Sequence, residues 1–447
     1  MTPNSRHEDG RRLHRAGQTA GAQLAARIIS GLCVIIQTPL LLRHLGTDSF
    51  GWLMVVTAFV GVSQFADFGA AIALQQQLSV AWGKGEEERL AAVFAGGRLL
   101  LGRIAAITVL PGVVLAGLVG TRLLPAPNGT GQLVSWVVVV LSVALGLRLS
   151  AGPRLAAAVQ AGWIAAVWAA VGNLAAVAAI VICIRAHAGL ATFVAILAAA
   201  QALPGALTEV HILRRLRLRP PEADTEGRSQ AAASIWNEGV HYALPNLAGA
   251  TLQVATPLIL SQSGGYAASA AFSVLQKLFG LVVQGHALTL APLWPAYAEA
   301  EASGNRGWVN RAFGASLALT LACAGGILAV AFFLPWVTGF WLGAGAPAIG
   351  VPFAWLIALW SCSALVNQAL SYFLLGIGAL ARIAFGIGCA HFGTLALMVL
   401  GGYFWQGLGV AAGLATGALV FATPQYVVCA VRLAGARKDS TRPKPPS

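Results

Sequence analysis

Long, continuous apolar stretches alternate with short polar breaks along nearly the whole chain. Seventy residues without Asp, Glu, Lys or Arg lie between Arg311 and Arg382, and 49 more between Arg382 and Arg432. A helix needs about 20 apolar residues to cross the hydrocarbon core of a bilayer. The stretches are continuous, not alternating as a membrane β-barrel requires. The pattern predicts twelve spans, at 20–43, 50–74, 93–119, 133–151, 163–184, 190–212, 237–261, 268–293, 312–340, 351–375, 383–404 and 408–432. Turn signals such as Pro125-Ala126-Pro127-Asn128-Gly129, Gly264-Gly265 and Gly343-Ala344-Gly345 separate them. The expected fold is all-α: a polytopic helical membrane protein of about twelve transmembrane helices, in two pseudo-symmetric six-helix halves around a central cavity.

The halves are expected from a repeat. Residues 23–94 read as helix, tight turn, helix and charged loop, and the layout recurs 219 positions later. Gly46 then falls on Gly265, Gly85 on Gly304, Phe94 on Phe313, Arg27 on Asn246 and Asp67 on His286. Internal duplication of helical units is a common plan among membrane transporters. The resulting organisation is a basic N-terminus (1–19), a first half (20–213), a linker (214–234), a second half (235–432) and a basic tail (433–447).

Composition agrees with this picture. Of 447 residues, 57% are hydrophobic and 10% charged, with mean hydropathy +0.75, whereas soluble domains carry about 25% charged residues. The first apolar run is too long for a signal peptide and is expected to be retained as a span. The six cysteines fall in or at the ends of apolar spans, without metal-ligand spacing, so neither a metal nor a cofactor is expected. The net charge of +13 is unevenly distributed. With a cytoplasmic N-terminus, the outer loops hold only Arg43, Arg122 and Arg185; Arg27, Arg103 and Lys277 lie within spans; the other 22 of 28 basic residues are cytoplasmic or at cytoplasmic helix ends. That bias sets the orientation. It also assigns the basic excess to a membrane face and its anionic lipids instead of nucleic acid.

Ionisable groups inside a membrane are costly and are functional candidates. At 100° per residue, Gln23, Arg27, Val34 and Thr38 share one face of the first span. The matching positions of the seventh are Tyr242, Asn246, Gln253 and Pro257, and Ser273, Lys277 and Gln284 share a face of the eighth. Arg27, Arg103, Lys277, Asn246, Gln253 and Gln284 are therefore the candidate substrate-binding residues. Arg27 has a second reading, a side chain snorkelling to the cytoplasmic surface. Asp67 and His286 are candidate proton-coupling groups; alternatively Asp67 caps a helix before Gly69 and His286 bonds a neighbouring helix. Glu209 and Glu238 read as interfacial. Gly409, Gly413 and Gly417 give the last span a close-packing face, used within the monomer.

No nucleophile elbow, HExxH, phosphate-binding glycine loop or Cys-His zinc pattern is present, and the outer loops are short, so catalysis is not expected. Residues 27–101 resemble polysaccharide flippases of the Wzx type, in the multidrug/oligosaccharidyl-lipid/polysaccharide (MOP) exporter superfamily. The resemblance rests on Arg27, the run Pro39-Leu40-Leu41-Leu42-Arg43-His44-Leu45-Gly46, Phe50-Gly51, Asp67-Phe68-Gly69 and the Gly83-Lys84-Gly85-Glu86-Glu87 loop. Lys277, Pro292 and Pro295 extend it, while Ser269-Ala270 departs from Phe50-Gly51. The resemblance implies translocation of a polyprenyl-pyrophosphate-linked oligosaccharide across the cytoplasmic (inner) membrane. It also implies as partners that lipid-linked oligosaccharide, membrane lipids and the polysaccharide polymerase and chain-length machinery. A multidrug antiporter of the same superfamily is the main alternative, though it favours acidic residues where this chain has basic ones. A membrane enzyme of glycan assembly and a lipid-II flippase, which typically carries extra spans, are the others.

Overall fold

A computed structural model describes residues 3–439 apart from 62–65, 116–119, 121–123, 128–130, 219–224, 292, 303–304, 378 and 380–382. At 3–20, 115, 225, 241–250, 295, 302, 344, 384 and 433–439 it describes the backbone alone. The protein is a multi-pass, all-α membrane protein. Its helices are α1 (Pro3–Val60), α2 (Ala70–Lys84), α3 (Glu87–Leu115), α4 (Gln132–Leu149), α5 (Ala151–Ala158), α6 (Trp163–Arg185) and α7 (Leu190–Leu216). Then come α8 (Thr225–Leu290), α9 (Leu293–Ala302), α10 (Arg306–Phe332), α11 (Leu334–Leu342), α12 (Val351–Gly376), α13 (Ala384–Gly417) and α14 (Thr423–Asp439), with a π-turn at Ala418–Ala422.

Among the described residues, nine helical stretches are long and apolar enough to cross a membrane. Three of them are broken: at Gly46, at Gly265, and at Trp405 and Gln406. The second and third of these breaks each separate two of the expected spans, while the first stretch holds 20–43 and only the start of 50–74. In the last of these, Gly409 packs against Gly401, Gly413 against Leu397 and Gly417 against Thr394. The small residues thus let the final span lie against the one before it, which is the close-packing use read from the sequence.

The chain forms two compact units, Met1–Val254 and Ala255–Ser447. In the first, a core cluster at one end joins Leu74 and Leu78 of α2, Leu90 and Phe94 of α3, Leu155 of α5, Ile212 of α7 and Ile235 of α8. The linker read from the sequence is therefore helical from Thr225, and its apolar side docks on this core. Gly96 allows the approach, because a Cβ there would stand 2.6 Å from Ala231 Cβ and 3.0 Å from Ala232 N. Gln77 Nε2 donates to Ser234 Oγ (3.0 Å) alongside. The second unit has its own cluster around Tyr297, Val309, Phe373 and Leu374.

The repeat is visible in the backbone. Gly46 has φ 76° and ψ 169°, and Gly265, 219 positions on, has φ 75° and ψ 175°. α3 starts at Glu87 and α10 at Arg306, again 219 apart. Gly304, the partner of Gly85, lies outside the described residues. Positive φ with ψ near 180° is a region open essentially to glycine alone. A Cβ at either residue meets nothing within 4 Å, so substitution strains only the backbone. Gly46→Ala and Gly265→Ala are each expected to destabilise the protein by about 1–3 kcal/mol. Thermal unfolding in detergent measures this, and an unchanged Tm would contradict the strain. Beyond Gly265, Ser269 donates to Pro257 O (2.9 Å, buried), so the residue that departs from Phe50 replaces its packing with a bond across the reversal.

Candidate translocation site

The first polar face runs along α1. Gln23 and Arg27 are exposed, Val34 is half-buried and Thr38 is fully buried. Thr38 Oγ1 donates to Val34 O (2.7 Å), so no hydroxyl hydrogen remains for a ligand at that end. One turn from Arg27, Asn173 Nδ2 on α6 donates to Ser30 Oγ (3.0 Å). Arg103 is exposed on α3, on the side that carries Ile107 and Leu110. Neither Arg27 nor Arg103 has a hydrogen-bond or ion-pair partner among the described residues. Gln253 is exposed, its amide beside Gly61. Asn246 and Tyr242 are helical in backbone, but their side chains lie outside the described residues.

In the second unit Ser273 is buried, Lys277 half-buried and Gln284 exposed. This face, like that of α1, passes from buried to exposed toward the end that the charge bias assigns to the cytoplasm. The structure thus places Arg27 and Arg103 on one unit and Lys277 and Gln284 on the other.

The two candidate coupling residues are held differently. The sequence puts Asp67 inside a continuous second span. The structure instead ends α1 at Val60 and places Asp67 in a turn with Phe68 (φ 51°) and Gly69 (φ 83°), just before α2. Its carboxylate accepts from Gly69 N (2.9 Å) and Ala71 N (3.2 Å), satisfying donors that a helix start leaves open. Arg154 of α5 is within electrostatic reach and donates to Gln75 Oε1 on α2 (3.2 Å). His286 is 1% exposed on α8. Its Nδ1 is 2.7 Å from Gln368 Oε1 on α12, and its Nε2 is 2.9 Å from Thr320 Oγ1 on α10.

No family model matches the chain, and neither does any curated protein sequence. Solved structures do. The inward-facing form of a multidrug resistance MATE family transporter of the MOP superfamily aligns at TM-score 0.73 and 14% identity, covering 94% of this chain and 100% of that one. The eukaryotic MATE transporter AtDTX14 gives 0.66 at 15% identity, with 95% and 96% covered. A MOP superfamily transporter from Pyrococcus furiosus, described as having a binding pocket of reverse polarity that suggests a different function, gives 0.63 at 13%, with 95% and 96% covered. The fold is that of the MATE transporters.

On this MATE-like fold the first unit carries a charged cluster that sequence reasoning missed. Glu209 of α7, read from the sequence as interfacial, is 6% exposed. Its carboxylate lies 3.1 Å from Arg98 Nε on α3 and 3.9 Å from Arg148 Nη1 on α4. Gly152 leaves no room for a Cβ against Glu209 and so lets α5 and α7 touch there. The only sequence signal was an acid in an otherwise apolar span, since its partners come from helices distant in the chain. Removing one member of a buried ionic group strands the others. Glu209→Ala is expected to cost about 3 kcal/mol, the low end for such a loss, because the two arginine side chains keep 31% and 33% of their surface. Detergent unfolding curves test this; a loss under about 0.5 kcal/mol, the scale of an ordinary surface substitution, would mean the cluster is not a brace.

Proposed function

We propose that the protein is a MOP-superfamily exporter that translocates a polyprenyl-pyrophosphate-linked oligosaccharide across the cytoplasmic membrane by alternating access. The observation that carries this reading is the state of the charges within the spans. Both deep acids are already engaged, Asp67 by two backbone N–H groups and Glu209 by two arginines. Among the exposed ionisable groups, Glu238 stands at the cytoplasmic end of its span, and Arg27 and Arg103, farther in, are basic. A cationic drug needs an available carboxylate. A diphosphate needs cations to replace its lost water, and guanidinium groups suit it through paired hydrogen bonds. Arg27, Arg103 and Lys277 then bind the diphosphate, and Asn246, Gln253 and Gln284 bind its sugars.

Multidrug antiport is the second reading, favoured by the described function of the MATE neighbours. That one fold also includes a transporter with a pocket of reverse polarity supports weighing local charge above fold likeness. Leaflet-resolved detection of lipid-linked glycan, in cells lacking the protein and in complemented cells, tests the proposal. Accumulation in the inner leaflet on deletion is expected. Normal leaflet distribution together with a gained sensitivity to cationic drugs would reverse the two readings.

A further inference from the structure

In the second unit, the final two spans enclose an apolar groove of about 970 Å³. Ala390 and Gly393 of α13 form one wall, and Val420, Phe421 and Val428 the other. The groove sits beside the π-turn Ala418–Ala422 and Pro424, where the helix departs from regular geometry; such turns often mark functional sites. Gln425 also lines it, donating from Nε2 to Gly386 O (2.8 Å) and Phe421 O (3.1 Å), so its amide hydrogens are used within the protein. Arg432 is exposed at one end and, among the described residues, is the single charged one lining the groove.

Length and charge identify an occupant. From Val420 to Arg432 the helix rises about 18 Å at 1.5 Å per residue, close to the ~15 Å of hydrocarbon in one leaflet. The charge bias places Arg432 at the cytoplasmic surface, and the sequence continues with Arg437 and Lys438. On the same two helices, Phe385 is 71% exposed and Val431 64%, surfaces suited to acyl chains and not to water. We propose that this groove binds one anionic phospholipid of the cytoplasmic leaflet, with its acyl chain against Phe421 and Val428 and its phosphate on Arg432. Basic residues near the membrane surface attract anionic lipid in this way.

The full-length protein, reconstituted in vesicles carrying a photoactivatable phosphatidylglycerol or the phosphatidylcholine with identical chains, tests the site. Adducts mapped to 383–393 and 420–432 are expected to favour phosphatidylglycerol at least fivefold, and Arg432→Gln to bring the ratio near one. Arg432 is exposed on α14, and the ratio in the unaltered protein stands as a measurement by itself. Equal labelling by both lipids, or a preference untouched by Arg432→Gln, would overturn the proposal. Loss of the phosphatidylglycerol adduct to a hundredfold smaller amount of polyprenyl phosphate would also overturn it, assigning the groove to an isoprenoid chain.

Discussion

Arg27→Ala is expected to lower the initial rate of lipid-linked oligosaccharide flipping by at least tenfold in reconstituted vesicles. A hydrogen bond to a charged group contributes about 1.5–3 kcal/mol, which at about 1.4 kcal/mol per decade is roughly a ten- to hundredfold change. The loss should be catalytic in kind, not a loss of folded protein. Arg27 is exposed and has no ion-pair partner among the described residues, so its removal should change stability by no more than about 0.5 kcal/mol. Lys277→Ala should lower the rate comparably. That side chain is half-buried and has interactions of its own, so the matching unfolding curve is part of its test. Arg27→Lys and Lys277→Arg should keep part of the rate, since they keep the charge and lose only geometry. A wild-type rate in Arg27→Ala would leave only the snorkelling reading of Arg27, and the diphosphate site would have to lie elsewhere.

The parts of the fold set by local rules were legible in the sequence. Continuous hydropathy located the spans. The repeat was legible because two helix reversals demand a backbone conformation that glycine alone tolerates, which fixed Gly46 and Gly265 at equivalent positions. Properties set by distant contacts were not legible. Periodicity ran the second span through Asp67, because nothing in the apolar pattern announces a break after Val60. The polar composition of 214–234 suggested a linker, yet from Thr225 it is helix, with Ala232 buried and Ile235, just beyond it, in the first unit's core. Arg98, Arg148 and Glu209 are 50 or more positions apart in sequence, and only the packing of α3, α4 and α7 makes them one cluster. Likewise, His286 could be singled out from its place in a span, but Thr320 and Gln368 could not.

His286→Gln is expected to abolish the dependence of flipping on an imposed pH gradient while leaving headgroup binding intact. The reason lies in what surrounds the ring. The Gln368 carboxamide oxygen at 2.7 Å can only accept. Thr320 Oγ1, at 2.9 Å from the other nitrogen, has one hydrogen to place either on Ser316 O at 2.8 Å or on that nitrogen. Only a ring carrying both protons donates to both neighbours. When a proton leaves, one bond must break or one neighbour must turn, and those neighbours stand on α12 and α10. The chain of polar groups continues, because Tyr297 Oη is 3.0 Å from Ser316 Oγ. His286 thereby joins three helices of the second unit. One charge moved across the membrane is worth about 2.3 kcal/mol per 100 mV, roughly fortyfold in an equilibrium, which suffices to drive a cycle. Asp67, its counterpart in the repeat, is committed to the start of α2, so Asp67→Asn should cost about 1 kcal/mol of stability and slow flipping. Its effect on gradient dependence should be smaller than that of His286→Gln. The decisive measurement is flipping by Asp67→Asn, His286→Gln in vesicles with an inside-acid or inside-alkaline gradient. Wild-type gradient dependence in that double variant would exclude both residues as the coupling site and leave His286 a purely structural bridge between α8, α10 and α12.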